Sequence, residues 1–266
     1  MDSGSGGCLN SRVHLSAKVA ALEQIVRWRD LYRAEMNCQI IHDSIHSRPG
    51  WTVEYILRAG DKPAGYGSIA VAGPWKKNRS IYEFFVLPQF RSQLFDLFAE
   101  LVRACGVSRI ETQSNDVLLT SMLHAFAPST KSESILYYDK LTTTFAPADA
   151  TFRVATVADQ PDVPVEQLPS HGVVEYKGRV AGKGGILFHY NRPYGDIYME
   201  VGKEFRRRGL GSFLVQELKR VCYEQGSVPA ARCSPKNIAS RSTLQKAGFV
   251  PCGHILIGSI AKGRPG

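Results

Sequence analysis

The chain has 266 residues, of which 44% are hydrophobic and 21% charged, and its formal net charge is +9. This length suits two domains of modest size, and this composition excludes a chain that is disordered throughout. No apolar run reaches the ~20 residues of a membrane-spanning helix, so we expect no membrane partner. The first ten residues are polar and rich in Gly and Ser, which predicts a disordered leader rather than a signal peptide.

Cysteine spacing and charge distribution argue against two classes of protein, zinc proteins and nucleic-acid-binding proteins. The six cysteines include no Cys-x-x-Cys pair, which argues against a zinc site and favours reduced thiols in the cytoplasm. Basic residues outnumber acidic ones by 33 to 24, which suits an anionic partner. They are scattered apart from Arg206–Arg208 and Lys76–Lys77, without the spacing of a known nucleic-acid motif. We therefore expect no nucleic-acid partner, and keep a nucleic-acid module as a third hypothesis.

Apolar periodicity predicts the elements of the first half in chain order. A helix covers 11–36 with Ser16 as its N-cap, and a short helix over 38–46 follows. The remaining elements are strands at 51–57, 64–71 and 80–87, a helix at 92–105, a strand at 108–112, a helix at 116–126 and a strand at 131–141.

The second half repeats this pattern after a linker at 142–150. Its elements are strands at 173–176, 179–188 and 197–201, a helix from Gly211, a strand at 230–234 and a helix after Asn237. Val86 and Val201 occupy matching places 115 positions apart, which fits one domain per copy. The repeat thus predicts two domains, 1–145 and 146–266.

The second copy has a shorter beginning than the first. Residues 155–170 contain three prolines where the first copy has its long helix. We expect the first copy to supply the helical cover that the second copy lacks. The active cleft would then lie near the domain interface.

The most distinctive stretch is the turn that follows the strand at 197–201. Three arginines and two glycines lie in it: Arg206, Arg207, Arg208, Gly209 and Gly211. The first N–H groups of a helix have no intrahelical acceptor, and the helix dipole favours an anion beside them. The turn therefore predicts a phosphate site.

The matching turn of the first copy has no such glycines. Leu94 and Asp96 stand at the places of Gly209 and Gly211. A carboxylate there would repel a phosphate, so we expect the first copy to be structural or to shape the acceptor site.

Two patterns resemble motifs of the GNAT (Gcn5-related N-acetyltransferase) superfamily. Arg206-x-x-Gly209-x-Gly211 resembles its motif A, and Asn237-x-x-Ser240, followed by Gly248-Phe249, resembles its motif B. The chain is thus similar to a tandem GNAT protein with a degenerate N-terminal copy. The resemblance implies an α+β (mixed α/β) fold of two GNAT-like domains, each a mixed, mostly antiparallel sheet flanked by helices. The sheet is expected to splay between its fourth and fifth strands.

The resemblance also implies an activity and a cosubstrate. The expected enzyme is an N-acetyltransferase that moves the acetyl group of acetyl-CoA to a primary amine by direct attack, without a metal. The acceptor is a small molecule or a peptide, and the protein is a monomer or a homodimer. The implied cofactor-binding residues are Met199, Val201, Arg206, Arg207, Arg208, Gly209, Leu210, Gly211, Ser212, Asn237 and Ser240.

Direct attack needs a base for the ammonium proton and an acid for the departing thiolate. Glu200, between two apolar strand residues, is the candidate base, and Glu175 is its rival. The tyrosine that often serves the family as acid corresponds here to Leu244. Cys233 and Ser234 are candidate substitutes. The missing tyrosine also supports an alternative, a non-catalytic acyl-CoA-binding or sensor protein.

Overall fold

A computed structural model describes residues 13–40 and 43–261 as a mixed α/β structure. The strands are β1 (Leu15–Ala20), β2 (Thr52–Ala59), β3 (Lys62–Ala70), β4 (Ser80–Val86), β5 (Arg109–Gln113), β6 (Thr130–Asp139), β7 (Ala150–Val154), β8 (His171–Tyr176), β9 (Arg179–Leu187), β10 (Tyr194–Val201), β11 (Val228–Cys233) and β12 (Phe249–Ser259). The α-helices are α1 (Val26–Met36), α2 (Asp43–His46), α3 (Leu94–Cys105), α4 (Val117–Phe126), α5 (Leu210–Glu224) and α6 (Ile238–Lys246). None of the helices described is long and apolar enough to cross a membrane. The predicted fold class is confirmed.

The beginning of the chain differs from the predicted helix over 11–36. Residues 11 and 12 lie outside the described part, β1 comes next, and the helical part is a 3-10 turn over Leu22–Gln24 followed by α1. The helix prediction was wrong because the alanine-rich sequence favours a helix locally, whereas β1 pairs along its whole length with β2 and covers the edge of that strand. Ser16 therefore lies in a strand. Of the predicted helix over 38–46, residues 38–40 are not helical, residues 41 and 42 lie outside the described part, and the rest forms α2.

The strands form one sheet that runs through both halves of the chain. Its order is β1-β2-β3-β4-β5-β12-β6-β11-β10-β9-β8-β7. The last strand of each half has thus changed places: β12 pairs with β5 of the first half, and β6 pairs with β11 of the second. β6 and β12 also pair with each other. The sequence pattern did not predict this exchange, because a repeat shows which strands exist and not which copies pair.

Each half of the sheet opens between its fourth and fifth strands. In the second half, β10 pairs with β11 only from Tyr194 to Ile197 and continues to Val201 beside β9 alone. In the first half, β4 pairs with β5 only at Ser80 and Ile81. The fourth and fifth strands therefore diverge in both halves, which leaves a wedge beside β10 and another beside β4.

Matching hydrogen bonds support the internal repeat. Arg91 Nε donates to the Val86 carbonyl oxygen at 3.1 Å, and Arg206 Nε donates to the Val201 carbonyl oxygen at the same distance. Both arginines follow the fourth strand of their half and are 115 positions apart. The two turns thus share the contact that ties the arginine to the strand end.

Helices cover the two faces of the sheet unequally. The back face carries α3 and α4 in the first half and α5 and α6 in the second, with Phe84 packed on Phe98 at 4.9 Å between ring centroids. The front face carries α1 and α2 in the first half, where the buried guanidinium of Arg29 pairs with Glu83 on β4. In the second half, the segment between β7 and β8 forms only a short 3-10 helix, Val165–Ser170.

The front segment of the first half reaches across to the second half. Asn191 Nδ2 donates to the Cys38 carbonyl oxygen at 2.7 Å, and the Ser44 N–H donates to the His189 carbonyl oxygen at 3.2 Å. Tyr194 Oη donates to Asn37 Oδ1 at 3.0 Å. These bonds hold the segment around α2 against the start of β10 and the loop before it, on the side of the closed end of the wedge.

Candidate functional site

The turn between β10 and α5 presents a row of free backbone donors. Within the described residues, no backbone or side-chain acceptor receives a hydrogen bond from the N–H groups of residues 207–212. Arg207 has a φ of 61° and Gly209 a φ of 79°, so left-handed residues alternate with Arg208 between them. Such an alternation turns successive N–H groups toward one point and forms an anion-binding concavity. The donors lie at the N-terminus of α5, where the helix dipole adds to their effect.

The two glycines of the turn serve different purposes. Gly209 has open space around the position of a Cβ, so its left-handed backbone is what favours glycine there. Gly211 is limited by packing, since a Cβ would lie 3.2 Å from Thr243 Cγ2 of α6 and 3.6 Å from a Val201 methyl group. Gly209 thus shapes the donor row, and Gly211 lets α5 and α6 approach each other.

The side chains of the turn are either exposed to solvent or in contact with other parts of the chain. All three arginines, Arg206 to Arg208, are exposed, and Arg208 lies over the Tyr176 ring with its guanidinium carbon 5.5 Å from the centroid. Ser212 is buried and its hydroxyl donates to the Thr243 carbonyl oxygen at 3.3 Å. Leu210 is buried in the core. Ser212 and Leu210 therefore offer an anion only their backbone N–H groups.

The matching turn of the first half forms hydrogen bonds within its own backbone. Pro88–Gln93 form a 3-10 helix that runs directly into α3, and the Leu94 N–H donates to the Arg91 carbonyl oxygen. No residue between 88 and 96 has a positive φ. This turn lacks the concave donor row, and the Asp96 carboxylate lies in the first turn of α3.

The predicted motif B residues lie at the start of α6. Asn237 is the N-cap, and its Oδ1 accepts the Ser240 N–H at 3.0 Å. Asp116 caps α4 in the same way, accepting the Leu119 N–H at 3.0 Å. The cap role is thus common to both halves, and it occupies Oδ1 of Asn237, a residue that is exposed.

The far end of β10 forms one wall of the wedge in the second half. Met199 and Val201 are half-buried against the core beneath α5. Beyond Ile197, the edge of β10 that faces β11 has no strand partner, although the Val201 carbonyl oxygen accepts Arg206 Nε. An extended ligand with amide groups can pair with such an open edge as a further strand would.

Of the two carboxylates predicted as bases, Glu200 lies beside the wedge and Glu175 does not. Glu200 is exposed on the front face of β10, opposite Lys183 of β9. Glu175 lies on β8, two strands from the wedge, and Arg153 Nε donates to its Oε1 at 2.7 Å. Glu175 is therefore committed to a surface ion pair, whereas Glu200 is free to approach a ligand.

The structure also brings a second carboxylate to the wedge, Asp196, which sequence reasoning missed. Asp196 lies on the front face of β10, next to the last residue that pairs with β11, and is only 5% exposed. Its Oδ2 faces Arg232 Nε at 3.2 Å, whereas its Oδ1 has no hydrogen-bond partner. Burial raises the pKa of Asp196 to about 6, although Arg232 opposes the shift. A carboxylate within an otherwise apolar run before the turn was the signal in the sequence.

The residues predicted around the thiolate lie on the other side of the wedge. Leu244 is buried in the core under α6. Cys233 is buried at the end of β11, and its thiol faces Tyr137 Oη at 3.9 Å. Ser234 is exposed, and its Oγ accepts the Lys236 N–H at 3.3 Å.

The site offers a place for an anion and an edge for an extended ligand with amide groups. The donor row suits a phosphate group, the open strand edge suits amide groups, and the wedge leads from the first to the second. Among the described residues, no group of three or more His, Cys, Asp and Glu could hold a metal ion.

Comparisons with known structures show the fold of the whole chain. An acetyltransferase of the GNAT family from Colwellia psychrerythraea is similar with a TM-score of 0.73, at 13% identity, over 92% of this chain and all of that chain. A GCN5-related N-acetyltransferase from Sphaerobacter thermophilus gives 0.60 at 13% identity, over 94% and 97% of the two chains. A tandem GNAT protein from the clavulanic acid biosynthesis pathway gives 0.61 at 14% identity, over 95% and 100%.

Sequence comparison locates the family signature in the second half. No curated protein matches the chain. The model of the acetyltransferase (GNAT) family matches residues 138–249, which contain both the turn before α5 and the start of α6. These residues therefore carry a signature of the acetyltransferase (GNAT) family, and the chain as a whole has the fold of the solved structures above.

Proposed function

We propose that the protein is an N-acetyltransferase that uses acetyl-CoA as cosubstrate and a primary amine of a small molecule or peptide as acceptor. The observation that carries this proposal is the donor row of residues 207–212 at the end of a strand that has left its neighbour. The second half, 146–266, holds the cofactor, and the first half, 1–145, builds part of the acceptor cleft through the segment around α2.

The residues of the turn have distinct parts in this proposal. The N–H groups of Arg207 to Ser212 bind the pyrophosphate, and the exposed arginines add positive charge around it. The free edge around Met199 to Val201 pairs with the pantetheine arm, which directs the thioester toward Ile197, where the wedge closes. Asn237 and Ser240 lie across the wedge at the start of α6.

Asp196 is the base that the geometry favours. A direct attack requires a neutral amine, and an ammonium ion must first give up a proton. Asp196 lies at the closed end of the wedge with one oxygen unpartnered, and its pKa of about 6 leaves it ionised at neutral pH. Glu200, on the same face of β10 and nearer the turn, is the second candidate. Glu175 is excluded from the proposal by its ion pair with Arg153.

Calorimetry with CoA and turnover with a panel of amines test the proposal together. CoA should bind the full-length protein, and acetyl-CoA should be converted to CoA only when a suitable amine is present. Two results would overturn the proposal. One is the absence of CoA binding, and the other is binding without turnover for a panel of diamines, amino acids, amino sugars and peptide N-termini.

A further inference from the structure

Tyr137 lies at the wedge of the second half although it belongs to a strand of the first half. It is on β6, which the exchange of strands brings beside β11, and it pairs directly with Ala231. Ala231 in turn pairs with Ile197, the last residue of β10 before the wedge opens. Tyr137, Ala231 and Ile197 therefore form one row across the sheet at the closed end of the wedge. All three side chains belong to the core on the back face.

The hydroxyl of Tyr137 points from this row toward the open part of the wedge. Its Oη lies 3.9 Å from the Sγ of Cys233, the next back-face residue along β11. Arg241, on α6, also acts on the phenol and lowers its pKa, which burial and Cys233 raise to about 12. The hydroxyl thus sits between β11 and α6, and Leu244 lies one turn farther along the same helix.

The hydroxyl of Tyr137 has one weak partner for its hydrogen in the described part of the chain. This partner is the thiol of Cys233 at 3.9 Å. Burial and this hydrogen bond raise the pKa of the phenol, whereas Arg241 donates to the phenol oxygen and lowers it. A hydrogen bond to a thiol sulfur is weak, and buried phenols usually find a stronger partner. The ring itself is only 1% exposed, so bulk water does not surround it. A ligand atom that is a stronger acceptor, such as a thiolate sulfur, would therefore take the hydrogen bond of this hydroxyl.

We propose that Tyr137 donates its hydroxyl hydrogen to the sulfur of CoA and acts as the acid that protonates the departing thiolate. The proposal rests on the proposed function, since it assumes that a CoA thioester enters the wedge. Leu244 on α6 stands where the resemblance places the acid, and it has no hydroxyl group. The proposal gives the protonation of the thiolate to Tyr137 instead. The exchanged strand then makes the first half part of the catalytic machinery of the second.

The proton transfers of the proposed reaction require only residues of the site and water. An ammonium acceptor first gives one proton to Asp196, which releases it to water. The amine nitrogen then forms a bond to the acetyl carbon, the carbon–sulfur bond breaks with its electron pair on sulfur, and Tyr137 Oη gives its proton to that sulfur. The nitrogen loses its second proton as the amide forms, and water passes a proton back to the phenolate.

The test compares the binding of CoA and of desulfo-CoA, which lacks the sulfur, between pH 7 and 9.5. In the unaltered protein, the affinity for CoA should exceed that for desulfo-CoA increasingly as the thiol ionises. An advantage of about tenfold corresponds to one charge-assisted hydrogen bond. Tyr137→Phe should lose this advantage while binding desulfo-CoA as before. Tyr138→Phe is the matched control, since Tyr138 is the next residue of β6 and faces the opposite side of the sheet.

Turnover gives a second measurement. Tyr137→Phe should lower kcat by about tenfold or more and leave KM for acetyl-CoA nearly unchanged, because the bond to sulfur strengthens as the thiolate forms. Tyr138→Phe should retain most of kcat, which separates the loss of the Tyr137 hydroxyl from a general effect of a change in β6. Equal binding of CoA and desulfo-CoA by the unaltered protein at every pH, or an undiminished advantage in Tyr137→Phe, would overturn the assignment. Failure of both ligands to bind would instead overturn the proposed function.

Discussion

At the scale of single residues, the turn before α5 shows which parts of a motif the sequence can explain. The arginine and glycine spacing predicted an anion site, and the free N–H groups of residues 207–212 suit one. The spacing does not reveal that Gly209 is needed for its φ of 79° whereas Gly211 is needed for packing against Thr243. Such roles depend on α6, which approaches only after folding. The sequence alone therefore identifies the turn but not the reason for each glycine.

A charge placed at Gly209 should abolish CoA binding and leave the fold intact. Gly209→Asp puts a carboxylate within the donor row, where it repels the pyrophosphate and takes the place of the anion. Calorimetry should show a loss of affinity of at least a hundredfold. Gly209→Asn, which has the same shape without the charge, should lose much less.

The control for this change is at the other end of the same helix. Gly226 also has a left-handed backbone, with a φ of 71°, and open space around its Cβ position. Gly226→Asp should therefore carry the same backbone strain and the same charge without an effect on CoA affinity. Equal losses in Gly209→Asp and Gly226→Asp would contradict the assignment of the turn.

Asp196 should control the acidic limb of the pH–rate profile. Its pKa of about 6 means that kcat/KM rises as the pH increases through 6, since only the ionised carboxylate accepts a proton. Asp196→Asn should remove this rise and lower turnover by about a hundredfold or more. Glu200→Gln should keep the rise. If the rise disappears in Glu200→Gln and persists in Asp196→Asn, Glu200 is the base instead.

At the scale of elements, the regular repeat made most strands and helices predictable, but the ends of the chain were less so. The strands β2, β3 and β4 and the helices α3 and α4 match the apolar periodicity to within about two residues at each end. β1 was predicted as a helix because its alanines favour one, and no strand was predicted for β7, whose first residue ends the predicted linker. Both strands lie at the outer edges of the sheet, where pairing with one neighbour outweighs local preference.

A buried lysine joins three elements at the end of the second half. Lys219 of α5 is 5% exposed, and its Nζ lies 2.6 Å from Asp139 Oδ1 at the end of β6. The same ammonium group donates to the Leu141 carbonyl oxygen at 2.8 Å and to the Ala247 carbonyl oxygen at 2.7 Å. Lys219 thus fixes α5 to the exchanged strand and to the end of α6.

Replacing this lysine should destabilise the protein strongly. Lys219→Met keeps the length of the side chain but leaves the Asp139 carboxylate buried without its partner. Urea unfolding should show a loss of about 3–5 kcal/mol in the free energy of unfolding. Arg220→Met, at the next position and in exposed ion pairs with Glu217 and Glu224, should change it by less than about 1 kcal/mol. A small effect of Lys219→Met would show that the buried pair contributes little.

At the scale of the whole molecule, the exchange of β6 and β12 makes the two halves one folding unit. The central strands β5, β12, β6 and β11 alternate between the halves, so neither half can open without breaking pairs with the other. The sequence could not reveal this, because both the exchanged and the unexchanged pairing satisfy the same strand pattern. The domain boundary at 145 remains a prediction, and the strand pairing crosses it.

Tryptophan fluorescence can test this coupling, because the three tryptophans, Trp28, Trp51 and Trp75, all lie in the first half. Saturating CoA, bound at the second half, should raise the unfolding midpoint that these tryptophans report. At a hundredfold excess over its Kd, the ligand adds about 2.7 kcal/mol to the stability of a single folding unit. Gly209→Asp should show no such shift. An unchanged tryptophan midpoint, with a raised midpoint in circular dichroism, would mean that the halves unfold separately.

The exchanged strands also determine whether the second half could be produced without the first. A gene fragment for 146–266 would supply β11 without β6 and β12 without β5, and would leave open edges in what is now the middle of the sheet. The hydroxyl of Tyr137 would be absent from such a fragment as well. The segment that holds the turn before α5 is therefore not a unit that could be transferred by itself. The first half, whose own turn lacks the glycines, supplies strands with which the second half pairs.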